Sequence, residues 1–415
     1  VPSFSRQTGL QCAVCHSNPP ELTAFGRKFK LEGYTLTEHK PGSAIEDKDL
    51  KLERVFPLSV MILSSATLVD TRVPGAQAGS VELAQALSLF LAGAISTHVG
   101  TMLQVTYSHG SDHFGLDNTD IRYANHTTLG SKDLLFGFTL NNNPTVEDVW
   151  NGTPAWGYPW ISSGAAPKPG TSPIVEGPLA QDVAGLGAYS LWDDHLYLGF
   201  ALYRSEHAGG PQALTGTGFP IDIQGVAPYW RLAWQQSFGT NYLEIGTFGI
   251  HVAAVPGATG GRDSYTDFGF DLQYERPFGT DLLSAHARWI HETSSLAATL
   301  AAGGATALGH RLNSFRADAT YHLGGRYTLT LAGFSSNGDT DPLLYPAASV
   351  TGSRLGSPES RGYIVQAGYW PAQNIDLSLA YTGYSRFNGG TDDYDGSGRS
   401  ASANNSVYLA LWMNY

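Results

Sequence analysis

From Val55 to Tyr415 the chain is written in stretches of about 10–14 residues that alternate apolar and polar side chains, with turn-rich segments between them. In His195–Arg204, Leu196, Leu198, Phe200 and Leu202 share one face. In Asn374–Tyr381, Ile375, Leu377, Leu379 and Tyr381 do so, opposite Asn374, Asp376 and Ser378. Phe268, Phe270, Leu272 and Tyr274 alternate with Asp267, Asp271, Gln273 and Glu275. A period of two over so many segments is strand, and strands with one apolar and one polar face need either two sheets or a closed wall. Composition decides between these. Only 14% of the residues are charged, against roughly 25% in soluble domains. Aromatics make up 12%, with 21 Tyr and 9 Trp, and there are 49 Gly. No run of about 20 apolar residues offers a spanning helix. These features predict an all-β, antiparallel transmembrane β-barrel of the outer-membrane kind.

About 16 strands are expected, near 55–69, 81–93, 96–108, 118–129, 132–141, 183–193, 195–205, 226–238, 240–252, 264–278, 281–293, 311–324, 325–337, 360–370, 373–386 and 404–415. Short turns at Gly130-Ser131, Asp193-Asp194, Phe238–Thr240, Phe278–Thr280, Gly324-Gly325 and Pro371–Gln373 alternate with long links such as 142–182, 206–225, 294–310, 339–359 and 387–403. That alternation matches short periplasmic turns and long extracellular loops, and an even strand number puts both barrel ends on the periplasmic side. The final Tyr415, after Val407, Leu409, Leu411 and Met413, resembles a terminal aromatic insertion signal. Val1 reads as a mature terminus left by removal of an export signal. A barrel of this strand number encloses an aqueous channel unless something fills it.

The chain has two cysteines, and both fall in Cys12-Ala-Val-Cys15-His16. C-x-x-C-H is the attachment pattern of one covalent haem c: two thioethers from the cysteines and an iron ligand from the histidine. A thioredoxin-like dithiol needs a βαβ setting, and a zinc site needs further thiolates or a spaced histidine pair. Neither lies nearby, so haem is preferred to these and to chance. Downstream, Leu22, Phe25, Phe29 and Leu31 recur at helical spacing, with Gly33 as a stop. Arg27, Lys28 and Lys30 stand between them, available for haem propionates or as a solvated face; Arg27 is taken as cofactor-binding.

The chain therefore divides into a haem-bearing segment, 1–54, and a barrel, 55–415. The first is too short to build a cage around a haem. A haem without a cage and a channel without a plug predict that the helical segment sits inside the barrel. His16 is the proximal ligand. Strand parity turns Met61 inward with Ser59, Ser65 and Thr67, and Met102 with His98, Gln104 and Thr106, while Met413 faces lipid. Met61 is the preferred distal ligand; Met102, His98 and His39 are alternatives.

Residues 1–54 hold eight Lys and Arg against seven Asp and Glu, leaving 16 and 29 for the barrel, a net −13. An acidic barrel disfavours nucleic acid and draws cations. Three acidic groups stand in links: Asp112, His113, Asp117 and Asp120; Asp339 and Asp341; Asp392, Asp393 and Asp395. The spacing Asp393-x-Asp395-x-Ser397-Gly398 copies half a calcium loop, but Asn404 stands where its closing Glu belongs. Solvated loop charge is the simpler account of each.

Gln7-Thr-Gly9, the haem motif, Leu22-Thr-x-Phe-Gly-Arg-x-Phe-Lys30 and Gly33-Tyr-Thr35 together resemble the N-termini of fused outer-membrane monohaem cytochrome–porins, the iron oxidases of iron-oxidising bacteria and their relatives. Asn142–Asn151, followed by Thr153-Pro-Ala-Trp-Gly157, is similar to that family's long loop. The resemblance implies an Fe(II):cytochrome c oxidoreductase of the outer membrane. Extracellular Fe(II) would reduce one haem held by Cys12, Cys15 and His16, and a periplasmic c-type cytochrome or similar carrier would collect the electron. A different extracellular redox partner, or a solute porin with a cytochrome plug, remains open.

Overall fold

The computed structural model describes residues 1–36, 45–47, 50–52, 56–110, 112–153, 162–206, 222–256 and 261–415. Among these, sixteen long strands form one wall: β1 (Leu58–Val69), β2 (Gly79–Ala94), β3 (Val99–Ser108), β4 (His113–Leu129), β5 (Lys132–Asn141), β6 (Val183–Trp192), β7 (Leu196–Ser205) and β8 (Ala227–Phe238). The second half contains β9 (Asn241–Val255), β10 (Asp263–Phe278), β11 (Asp281–Ser295), β12 (Gly309–Leu323), β13 (Tyr327–Gly338), β14 (Ser360–Ala372), β15 (Ile375–Arg386) and β16 (Ser406–Asn414). Every strand pairs antiparallel with its sequence neighbours, and Ser65 facing Ala410 joins β1 to β16. The barrel is closed and has no edge to protect. Each expected strand is present with its ends shifted by a few residues.

The alternation is that of a wall with lipid outside. Phe200, Phe270 and Leu379 are each about half exposed, while Asp271, Asp376 and Ser378 are buried. Lipid covers the apolar side chains, and the lumen receives the polar ones. Among the described residues no helix is long and apolar enough to cross a membrane. Two-residue turns need a positive φ, and Gly239 and Gly279 supply it at +61° and +63°. The short connections gather at one end of the barrel and the long links at the other. The start of one of the latter, 142–150, turns inward. Asn142, Asn143, the turn α4 (Pro144–Glu147; numbered after three N-terminal helices), Asp148 and Trp150 are all buried.

The N-terminal residues form α1 (Pro2–Thr8), a single turn α2 (Cys12–Cys15) and α3 (Ala24–Leu31). They pack against inward-facing residues around the wall. Ser3 N–H donates to Ser59 Oγ (2.7 Å), Tyr34 Oη to Asp120 Oδ2 (2.6 Å), and Tyr189 Oη to the Leu31 carbonyl (2.6 Å). Cys12 N–H reaches Gln373 Oε1 at the short-turn end (3.1 Å).

Candidate haem site

The local fold of the Cys12–Tyr34 segment follows from three small residues. Thr23 caps α3 by accepting from Gly26 N–H (3.1 Å), and its hydroxyl donates to the Val14 carbonyl (2.6 Å). Gly26 lets α3 lie directly on the cysteine turn, because a β-carbon there would stand 2.1 Å from the Cys15 carbonyl oxygen. Gly33, at φ +72°, ends the helix where the backbones of His98 and Arg122 press close. Leu22-Thr-x-Phe-Gly-Arg is thus a clamp that fixes the helix to the C-x-x-C turn.

Within that turn His16 N–H donates to the Cys12 carbonyl (2.9 Å). The His16 Nδ1 lies 3.2 Å from the Glu21 carbonyl oxygen. Only a protonated Nδ1 can bond a carbonyl, so Nε2 carries the free lone pair. Burial, helped by the nearby N-terminal ammonium, lowers the His16 pKa to about 3 and keeps the ring neutral. Neutral imidazole with its second nitrogen held by a carbonyl is the form that ligates iron.

Cys12, Cys15 and His16 open on a cavity of about 410 Å³. Phe4, Phe25, Phe29, Leu22 and Leu63 line it, and so do Met61 and Met102. Both cysteines are unpaired and partly accessible. The two thiols, the available Nε2, the apolar walls and two thioethers in one enclosure fit a haem c. A smaller cavity of about 220 Å³ lies beside the same turn, with Arg326, Trp370 and Pro371 from the short-turn end.

The other sequence candidates are placed elsewhere. His98 belongs to the turn before β3, not to the strand; its Nδ1 is 3.2 Å from the Ala124 carbonyl oxygen and its ring rests near Tyr123. It does not line the cavity. His39 lies outside the described residues. Arg27 is also outside the cavity lining. Its Nη1 donates to Glu275 Oε1 and to the Leu22 carbonyl, both at 2.6 Å, and its guanidinium lies 4.3 Å from the Tyr242 ring centre. The basic side chain that does line the cavity is Lys30, bonded to the Val146 carbonyl (2.5 Å), with burial lowering its pKa to about 8.

The acidic groups are occupied within the fold. Asp395 accepts from the N–H groups of Val350, Ser397 and Arg399, and Asp393 from Gly398 N–H. The half calcium pattern is therefore a loop held by its own backbone. Asp120 pairs with Arg122 (2.6 Å) deep in the lumen. Arg122 also reaches the Val146 carbonyl of the long link (3.1 Å), and Arg231 meets Asp148 (3.5 Å), Glu244 (3.1 Å) and Asp271 (2.6 Å). These pairs draw the link inward, and Trp150 Nε1–H completes the contact by donating to Tyr242 Oη (2.6 Å). Periodicity puts Asp120 and Arg122 on one face of β4 but carries no sign of the contacts to the link, since Val146 and Asp148 lie outside the strands.

A closed sixteen-strand wall, apolar outside and polar within, defines an outer-membrane β-barrel of porin architecture. No protein-family model and no curated protein matches the chain. Among solved structures it is similar to outer-membrane-expressed OmpT of Vibrio cholerae, at 11% identity and a TM-score of 0.49, covering 90% of this chain and 100% of that one. Salmonella typhi OmpF gives 10% identity, a TM-score of 0.48 and the same coverage. The channel DcaP of Acinetobacter baumannii gives 13%, 0.48, and coverage of 86% and 96%.

Proposed function

We propose that the chain carries electrons across the outer membrane through one haem c, attached at Cys12 and Cys15 and ligated by His16. In this reading extracellular Fe(II) gives up one electron and leaves as Fe(III), and a periplasmic carrier collects that electron at the short-turn end. The carrying observation is that the C-x-x-C-H turn opens, inside a barrel, on an apolar cavity that also holds two methionines. The haem supplies one-electron chemistry when bound. The chain's contribution is positional. Thr23 and Gly26 fix the cysteine turn, the Glu21 carbonyl orients His16, and the aromatic walls exclude water. The buried pairs of Arg122 and Arg231 with the inward link support a lumen filled by protein.

A second reading, a porin-type solute channel with an N-terminal plug, is favoured by the barrel architecture itself. The two differ in what passes. Stopped-flow mixing of the oxidised, detergent-purified protein with anaerobic Fe(II) should reduce the haem at a rate that saturates with Fe(II), and planar bilayers should show little ion conductance. Haem reduced by dithionite but not by Fe(II) removes iron as donor. Open, stable conductance with no reduction gives the channel reading precedence.

A further inference from the structure

The cysteine turn has two open sides. One faces the cavity of about 410 Å³ inside the barrel, and the other a groove of about 220 Å³ at the short-turn end. Cys12, His16, Pro19 and Gln373 line both. The groove opens outward, since Ala13, Arg326, Pro371 and Ala372 in its lining are all exposed. Two indoles join the spaces. Trp412 of β16 lines the cavity, Trp370 of β14 lines the groove, and their ring centres are 6.1 Å apart, edge to face.

The charge of the groove is opposite to that of the barrel. The barrel is acidic, yet no carboxylate lines this groove. Arg326 does, and among the described residues no carboxylate pairs with it. Its backbone is held beside the indole, because Trp370 N–H donates to the Arg326 carbonyl (2.8 Å). Asp281, on the adjoining turn, is engaged elsewhere: it accepts from Gly324 N–H and Tyr321 Oη, both at 2.8 Å. Around Arg326 the ground is mostly apolar, made by Ala13, Pro19, Tyr327, Trp370 and Pro371. A small apolar surface with one unpaired charge suits a brief encounter, in which the charge steers and orients the partner.

We propose, on the reading of Cys12, Cys15 and His16 as the haem attachment, that this groove is the electron exit and receives a soluble one-electron carrier whose exposed redox edge is ringed by carboxylates. In the transfer the ferrous haem becomes ferric, and the carrier's oxidised centre is reduced by that same electron. Arg326 is a positioning residue here: it draws the anionic edge to the place where the cysteine turn and Trp370 are exposed.

The test uses the haem-loaded, full-length protein in detergent, reduced with dithionite and freed of the excess. It is mixed in stopped flow with hexacyanoferrate(III), an anionic oxidant, or with tris(phenanthroline)cobalt(III), a cationic one. Arg326→Glu should slow reoxidation by the anion about threefold or more at low salt and speed that by the cation, with both effects fading at roughly 1 M salt. Arg326→Lys keeps the charge and should match the parent. Arg311→Glu makes the same change of charge on an exposed residue at the long-link end, and should alter neither rate. Equal rates in the parent and Arg326→Glu, or equal slowing in Arg311→Glu, overturn the exit. Haem content and the rate of reduction by Fe(II), measured on the same samples, report separately on the haem reading. A parent without haem removes that reading and the exit with it. Haem that Fe(II) reduces normally, in an Arg326→Glu variant whose reoxidation is unchanged, removes the exit alone.

Discussion

A β-carbon on Gly26 would stand 2.1 Å from the carbonyl oxygen of Cys15, and the backbone of the cysteine turn cannot retreat, because Thr23 holds it at both Cys15 and Val14. Gly26→Ala should therefore lift α3 from the turn, at a cost of about 1–3 kcal/mol for the misfit. The expected outcome is faster cleavage of residues 1–36 in limited proteolysis and less covalent haem per barrel. Unaltered proteolysis and haem content would show that α3 docks without this contact.

Arg27 and Glu275 separate a structural from a cofactor role. Their side chains are 3% and 13% exposed and 2.6 Å apart. Removing one partner of such a pair strands a buried charge, and Arg27→Ala should destabilise the docked segment by about 3–5 kcal/mol. Arg27→Met with Glu275→Gln should recover much of that loss. Haem content and reduction potential measured on the double variant decide the matter: both should stay close to the parent's if Arg27 pairs with Glu275 rather than with a propionate.

Glu147, in α4, gives the long link a pH dependence. Burial pushes its pKa up to about 7, against the lowering effect of Arg122 and the Asn141 side chain. The folded state binds the proton more tightly than the unfolded one, so stability is fullest below the ordinary carboxylate pKa and falls as pH rises toward 7. The loss is on the order of 3 kcal/mol across that window. Glu147→Gln keeps the hydrogen-bonding shape without the charge. Denaturant midpoints at pH 5 and pH 8 should differ less in the variant than in the parent, with the variant the more stable at pH 8.

The wall was legible because its rule is local. Phe268, Phe270 and Leu272 alternate with Asp267, Asp271 and Gln273, and no distant residue is needed to say which face meets lipid. The same parity put Met61 and Met102 on the cavity side, where both are found. It failed at His98, because residues 95–98 form a turn and a period of two has no meaning there. The surroundings of Arg27 were hidden for a different reason. Its partner lies 248 residues away on β10, and a helix read alone shows a charge without showing what neutralises it. The inward course of Asn142–Trp150 was hidden likewise, since Arg122 and Arg231 define it from other strands. Residues 154–157 of the family-like loop lie outside the described residues.

The two cavity methionines differ in what surrounds them, and that assigns them different work. Met102 is buried against Phe29, Tyr34 and Ala92, so its side chain belongs to a packed cluster. Met61 is only partly buried and faces the cavity beside Leu63. A thioether that is not committed to packing is the one free to approach an iron, and methionine ligation raises the potential relative to a second histidine. Met61→Ala should change the haem spectrum and lower the reduction potential while leaving the barrel intact. Met102→Ala should leave the spectrum unchanged and cost about 2–5 kcal/mol of stability through the cavity it opens. If the spectrum follows Met102 instead, the cluster that packs it against Phe29 and Tyr34 must open to deliver that side chain.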